Sequence, residues 1–423
     1  MGNFQQVRSE YQKKILGDVI DFIDGDRGKN YPSQGEFFSV GDYLFLNTKN
    51  VPNTKFSFEE RMFITKEKDG VLRKGKLQRG DYVLTTRGTV GNFAYYDQNV
   101  PYDNVRINSG MVILRKKSND LDEKFFRYYL SSHLFSGQVK SRVPGSAQPQ
   151  LPIRDMLSME IILPALNSQA KIASTLSAYD DLIENNEKRI KILEEMAQLL
   201  YAEWFVKFKF PGYEGAKMVD SGTEFGLIPE GWEVKKLKEI GKVITGKTPP
   251  TANQENLGGE VLFIKTPDIH GNIFVIETDQ TLSEIGVNTQ RLKLLPEKTV
   301  FVSCIGTLGV VGITSKPSQT NQQINALVLN DGNDYCMFYY FAKDLKQRLV
   351  GLGANGATMG NVNKDKFENI VIIYPGKEIR ESFFNKTTRL FDDILLLQKQ
   401  NNNLSKTRDL LIPQLVTGKR ELK

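Results

Sequence analysis

The chain carries nearly the same text twice. Gly25 returns as Gly246 after 221 residues, Thr48 as Thr266 and Gly88-Thr89 as Gly306-Thr307 after 218, and Gly145 as Gly356 and Pro164 as Pro375 after 211. The offset only falls along the chain, as a tandem duplication followed by loop trimming leaves it. Whatever this sequence folds into must therefore satisfy two copies of a unit of about 210 residues. Two similar, non-identical halves suit a task with two similar, non-identical targets.

Composition narrows the class. At 423 residues, 40% hydrophobic and 10% aromatic, the chain can build two ordinary globular cores. The net charge of +6 is the remainder of 56 basic against 50 acidic residues, so an anionic partner must be met by local patches. Cys304 and Cys336 fit neither a disulfide framework nor zinc spacing, and buried thiols in a reducing cytoplasm are the expectation, with no metal and no cofactor. No apolar run approaches the ~18 residues that span a bilayer, and the start MGNFQQVRSE lacks a signal-peptide core, so no membrane association is expected.

Each copy opens with short strand-like pieces punctuated by Gly, Pro and Asn: 42–47, 81–86 and 110–114 in the first, and 261–265, 299–303 and 326–329 in the second. Aromatics at helical spacing predict shorter helices over 123–132 and 335–348, whose rings read as core. Each copy closes with an apolar strand ending in proline, Met159 to Pro164 and Ile370 to Pro375, after which the apolar period becomes helical. Ile172, Leu176, Tyr179, Ile183, Asn186, Ile190, Leu193, Ala197, Leu200 and Trp204 form a 4-3-4-3 seam, the signature of a coiled coil. A shift of 211 places Phe383, Thr387, Leu390, Ile394, Leu397, Asn401, Leu404, Arg408, Leu411 and Leu415 in a second seam.

One asparagine interrupts each seam. A parallel pair sets Asn186 against Leu397, whereas an antiparallel pair, in which facing residue numbers add to 587, sets it against Asn401. Any slip buries an unpaired amide at about 1–3 kcal/mol, so antiparallel pairing is expected. Pro413 is expected to end or kink the second helix and so to weaken the outermost pair, Ile172 with Leu415. The competing reading is two unrelated amphipathic helices with chance asparagines. Residues 172–204 rise about 48 Å as a helix, one to two turns of duplex DNA, so a rod with a small domain at each end would suit a split DNA site. The expected fold is α+β: two mostly-β domains joined by two long antiparallel coiled-coil helices, an internal repeat with pseudo-twofold symmetry. The boundaries read as domain 1 over 1–165, spacer helix 1 over 166–210, a linker over 211–224, domain 2 over 225–376, and spacer helix 2 with a tail over 377–423.

Over essentially its whole length the chain resembles the specificity subunits of type I restriction-modification systems. The resemblance is carried by Gln169-Ala-Lys-Ile172, Leu199-Leu-Tyr-Ala-Glu-Trp-Phe205, Gly226-Leu-Ile-Pro-Glu-Gly-Trp-Glu-Val234 and Leu410-Leu-Ile-Pro-Gln-Leu-Val-Thr-Gly418. The first copy lacks an equivalent of Gly231-Trp232, and Arg380 stands where Gln169 does. The resemblance implies two target-recognition domains that read a bipartite, asymmetric site in double-stranded DNA, serving two methyltransferase (modification) subunits and restriction (motor-nuclease) subunits, with no catalysis by this chain. His133 and His270, each isolated from any catalytic constellation, agree.

Gly241-Lys-Val-Ile-Thr-Gly246-Lys247-Thr248 matches a phosphate-binding loop, but Pro249 and Pro250 oppose the helix such a loop must launch. It is the sole support for a self-contained DNA-dependent ATPase or nuclease. A third reading is a coiled-coil interaction protein that binds no DNA.

Base readout is expected from polar loop residues, with Arg and Lys favouring guanine or phosphate and Asn and Gln favouring adenine. The DNA-binding candidates are Asn47, Lys49, Lys74, Lys76, Arg87, Asn92, Arg106, Asn108 and Gln148 in domain 1. In domain 2 they are Lys265, His270, Asn272, Thr307, Asn321, Gln322, Gln323, Asn355, Thr358 and Asn361. The loops Arg87-Gly-Thr89 and Cys304-Ile-Gly-Thr307 stand out because they hold equivalent places with different chemistry.

Overall fold

The computed structural model describes residues 11–143, 149–250, 253–269, 271–353 and 360–422. The chain divides into two compact units, Met1–Asp181 with Leu404–Lys423, and Leu182–Asn403.

Unit 1 opens with β1 (Gln12–Ile15), α1 (Leu16–Val19), β2 (Ile20–Asp24), β3 (Tyr43–Leu46), β4 (Phe63–Ile64), α2 (Lys66–Val71) and β5 (Tyr82–Thr85). It continues through β6 (Phe93–Tyr95), β7 (Asn104–Ile107), β8 (Met111–Lys116), α3 (Glu123–Leu130), α4 (His133–Arg142), α5 (Ile153–Leu157) and β9 (Glu160–Leu163). An antiparallel sheet of order β2-β8-β5-β6 packs against a second of order β4-β3-β7, in which β3 and β7 are parallel. The 110–114 run is apolar throughout because both faces of β8 are covered: Met111 and Ile113 face the three-stranded sheet, Val112 and Leu114 face the aromatics of α3.

After α6 (Leu166–Tyr201) the second unit repeats the pattern. Its elements are β10 (Met218–Asp220), β11 (Leu227–Pro229), β12 (Glu233–Lys236), α7 (Leu237–Ile240), β13 (Gly241–Thr245), β14 (Leu257–Ile264), α8 (Thr266–Ile269), β15 (Phe274–Val275), β16 (Thr281–Leu282) and α9 (Glu284–Asn288). There follow β17 (Val300–Ser303), β18 (Val311–Thr314), β19 (Ser318–Thr320), β20 (Ile324–Leu329), α10 (Tyr335–Asp344), α11 (Lys346–Gly353), α12 (Lys364–Glu368), β21 (Val371–Tyr374) and α13 (Lys377–Val416). The sheets are β13-β20-β17-β18-β15 and β16-β14-β19, with β14 parallel to β19. Register repeats as well as order: Gln12 opposes Leu163 in β1–β9 and Glu233 opposes Tyr374 in β12–β21. The added strand β15 pairs parallel with β18 and makes the new edge. The helix expected over 335–348 is interrupted at Leu345, between α10 and α11.

The long helices run antiparallel. Within unit 2, Asn186 Nδ2 donates to Asn401 Oδ1 at 2.9 Å, Asn401 Nδ2 donates to the Ile183 carbonyl, and the rings of Trp204 and Phe383 lie 5.7 Å apart. Asn186 is buried and Asn401 half-buried, so the paired amide supplies Asn186 with the partner that water cannot. Within unit 1, Ile172 and Leu176 share a core with Leu411, Ile412 and Leu415. One expectation changes here. The helix continues through Pro413 to Val416, and Leu415 is fully buried, because the lost hydrogen bond falls in the last turn of a helix held by its packing. Arg408, a polar member of the second seam, forms an ion pair with Asp180, which also accepts from the Tyr128 hydroxyl.

The two departures from repeat symmetry have structural explanations. Gln169 donates to the carbonyls of Pro164 and Asp120 and accepts from Asp122 N; Arg380 donates to the Pro375 carbonyl and to Asp331 and Asp334. Both tie the first turn of a long helix to the domain before it, one through a neutral amide and the other through charge. Trp232 packs against Phe205, Phe208 and Phe210, clamping the segment that follows α6.

Asn186→Leu is expected to lower the thermal midpoint by leaving Asn401 unanswered, at about 1–3 kcal/mol, and adding Asn401→Leu is expected to recover much of the loss. Thermal denaturation of the four members of the cycle measures the coupling; additive losses would contradict the amide pair.

Candidate nucleic-acid interface

In both units the loops gather at one end of the sheets around a common backbone skeleton. In unit 1 the Thr85 hydroxyl accepts from Asn92 N and donates to the Thr89 carbonyl; in unit 2 Ser303 does the same with Val310 N and the Thr307 carbonyl. Gly88 and Gly306 both have φ in the left-handed region, +70° and +76°. Leu151 N bonds the Thr86 carbonyl as Val362 N bonds that of Cys304, and isolated bridges join Arg87 to Gln150 and Ile305 to Asn361. Gly25 and Gly246 are invariant between the copies for a steric reason: a Cβ would lie 2.2 Å from the Asn108 carbonyl oxygen in one and 2.1 Å from that of Asn321 in the other.

On this skeleton the side chains differ. In unit 1, Arg87 and Lys74 are exposed, and Thr48 and Arg87 both approach Gly110. Lys49 is exposed and pairs with Glu60 at 3.0 Å. Asn47 and Asn108 lie at the same end, but each side-chain oxygen receives a nearby backbone N–H, from Lys49 and Gly110 respectively. Asn92 donates to the carbonyls of Val51 and Pro52 and holds that loop in place. Lys76 pairs with Asp69 at 2.8 Å.

Arg106 is a correction. It is buried, pairs with Asp69 and donates to the carbonyls of Asp69, Leu72 and Lys74, which removes it from the base-reading set and makes it a strut. Burial raises the Asp69 carboxyl, but hydrogen bonds from Lys76 and Arg106 outweigh it and hold the group below its ordinary value. Two exposed arginines join the cluster: Arg27, which donates to the Ser109 carbonyl, and Arg73, whose N–H bonds Asp26. Arg27 follows Gly25 as Thr248 follows Gly246, a repeat signal visible in the sequence; Arg73 reaches the cluster only through its bond to Asp26 in the folded chain.

The unit 2 end is richer in amides and hydroxyls. Asn321, Gln323 and Thr266 form a linked set, with Asn321 Nδ2 and Thr266 Oγ1 both donating to Gln323 Oε1. Gln322 accepts from Thr248, while Thr307 and Asn361 are exposed. Lys265 is half-buried and donates to Gln280. Asn272 is exposed and accepts from Gln398. Gln148, His270, Asn355 and Thr358 lie outside the described residues.

Gly246-Lys247-Thr248 sits in a turn after β13, followed by Pro249 and Pro250 and later by a single 3-10 turn over Gln254–Asn256, not by the helix a phosphate loop needs. Burial pushes the thiols of Cys304 and Cys336 up to about 12, so neither is a ready nucleophile. Among the described residues no helix is long and apolar enough to cross a membrane. A separate surface runs along α6, where Ile192, Met196 and Leu199 are exposed at helical spacing and Val206 continues the stripe. Leu410 of α13, 211 residues after Leu199, is exposed to nearly the same extent, 68% against 67%.

The family model described as "type I restriction modification DNA specificity domain" matches twice, at residues 8–195 and 229–406. The chain is 30% identical to the type I restriction enzyme HindI specificity subunit of Haemophilus influenzae, over 95% of this chain and 100% of that protein. It is 26% identical to the MjaIX specificity subunit of Methanocaldococcus jannaschii, over 89% and 87% of the two chains. The fold is similar to the crystal structure of a type I system S subunit from M. genitalium, with a TM-score of 0.58, 17% identity and coverage of 98% and 97%.

Arg106→Met is expected to destabilise domain 1 by about 1–3 kcal/mol, by leaving Asp69 with Lys76 alone and the carbonyls of Asp69, Leu72 and Lys74 without their donor, whereas Arg87→Ala is expected to stay within about 0.5 kcal/mol of wild type. Thermal unfolding and duplex-DNA binding, measured on both, separate strut from reader: loss of DNA affinity without loss of stability belongs to Arg87 alone.

Proposed function

Because the chain belongs to the type I restriction modification DNA specificity family, we propose that each strand-rich domain reads one half of a bipartite, asymmetric site in double-stranded DNA, and that the chain presents this readout to modification and restriction subunits without catalysing a reaction. The observation that carries the reading is one loop skeleton bearing two sets of side chains. Lys49, Lys74, Arg87 and the added Arg27 and Arg73 suit guanine and phosphate; Lys247, Asn272, Thr307, Gln322 and Asn361 offer mainly amide and hydroxyl contacts. A shared backbone with changed chemistry is what two different half-sites require. The self-contained ATPase or nuclease loses its only support with the turn at Gly246, which starts no helix.

The exposed apolar residues on the long helices suit protein partners better than water. Leu199 and Leu410 occupy equivalent positions in the two copies, which supports two equivalent docking surfaces and therefore two methyltransferase subunits. Leu199→Lys and Leu410→Lys are each expected to leave the fold intact, since both side chains already face solvent, and each to remove one methyltransferase subunit from the assembly. Native mass spectrometry of the reconstituted complex reads the count; an unchanged stoichiometry in the double variant would exclude these surfaces.

Readout should travel with the loops. Replacing residues 225–376 with the corresponding domain of a relative is expected to change only one half of the methylated sequence, with the complex still assembling through 166–210 and 377–420. Mapping adenine methylation in a host carrying the chimera tests this, and a change in both halves, or in neither, refutes independent reading.

A further inference from the structure

Gln398 lies on α13 seven residues after Phe391, so both share one helix face, and that face meets domain 2 rather than the partner helix. Phe391 packs edge-on against Phe274 at 6.3 Å, and Gln398 is buried at 3% exposure. Phe274 begins β15, the edge strand of the five-stranded sheet. Its outward N–H donates to Gln398 Oε1 at 3.2 Å, so a glutamine on the spacer helix caps the sheet edge.

This cap determines the direction of a second amide. A backbone N–H can only donate, so the Gln398 oxygen must face Phe274 and its Nε2 must face the other way, toward Asn272 at 2.9 Å. Nε2 can only donate, so Asn272 must turn its oxygen inward. The Asn272 NH2 is then the arm left on the exposed side. Asn272 precedes a strand that runs parallel to β18, which places it at the end of the sheet where the 304–310 loop also lies.

We infer that Gln398 is a positioning residue for DNA readout: by fixing the amide of Asn272 with its N–H groups outward, it makes domain 2 select a base that offers an acceptor in the major groove, such as guanine O6 or thymine O4, at one position of its half-site. This rests on the reading that domain 2 contacts DNA bases. It also revises the sequence expectation for Asn272, because the paired donor and acceptor that suit adenine are not both presented.

The test uses the full complex of this chain with its methyltransferase subunits, and duplexes varied one base at a time through both half-sites. Gln398→Glu keeps an oxygen on Phe274 N but places its second oxygen opposite Asn272, which must then turn its NH2 inward and its oxygen outward. The expected result is a shift at a single position of the second half-site, by about tenfold, from a base with a carbonyl oxygen in the major groove (guanine O6 or thymine O4) toward one with an amino group there (cytosine N4 or adenine N6), with the first half-site unchanged. Asn272→Ala should abolish preference at that same position, and the double variant should match it. Asn272→Asp, which keeps the bond from Gln398 and leaves the joint intact, should produce a loss at that position even where Gln398→Glu fails to assemble. An unchanged base profile in Gln398→Glu or in Asn272→Asp overturns the inference, as does an even loss across both half-sites. The domain exchange separates the two failures: if the exchange moves the second half-site and these variants do not, only the role of Gln398 falls.

Discussion

A buried amide on a long helix must be answered by another polar group, and in this protein only one alignment of the two helices answers it. Asn186 meets Asn401, and the same alignment brings Trp204 to Phe383. The apolar seam positions alone would tolerate a slip of one heptad at modest cost, since leucine and isoleucine substitute for one another in such a seam. The asparagines do not tolerate it. Helix register is thus set by the residues that contribute least to hydrophobic burial.

The repeated domains show what duplication preserved and what it released. The glycine beneath each loop cluster, the hydroxyl that closes the loop after the third strand of the main sheet, and the bridge to the chain near Gln150 and Asn361 are all retained. These features leave no freedom: a methyl group at Gly25 or Gly246 would overlap a carbonyl oxygen. The exposed side chains standing on them differ, with guanidinium and ammonium groups such as Arg27, Arg87 and Lys74 in one copy and amides and hydroxyls such as Gln322, Thr307 and Asn361 in the other.

The joints between long helices and domains have diverged in the same way. Where unit 1 uses Asp180 to gather Tyr128, Arg127 and Arg408, the equivalent position in unit 2 is Phe391, enclosed by Phe274, Tyr335 and Tyr339. Gln169 and Arg380 make the corresponding substitution at the helix starts. One topology is held by different chemistry, and the unit 2 joint reaches a residue, Asn272, among those suited to DNA contact.

The sequence by itself determined the duplication, the two long helices, their antiparallel register and the main strands, because these follow from periodicity and from single residues whose burial has only one remedy. Tertiary structure alone decided which strands pair. The parallel partners β3 with β7 and β14 with β19 are joined across more than fifty residues, and no local pattern states such a pairing. It also decided which polar residues are available. Arg106 and Arg87 look alike in the sequence, yet one lies in the interior bound to Asp69 while the other stands in solvent. Lys76, Asn92 and Gln323 likewise find partners within their own domain. Whether a polar side chain is a strut or a reader depends on what the folded chain places within hydrogen-bond reach of it, and composition and spacing carry no record of that distance.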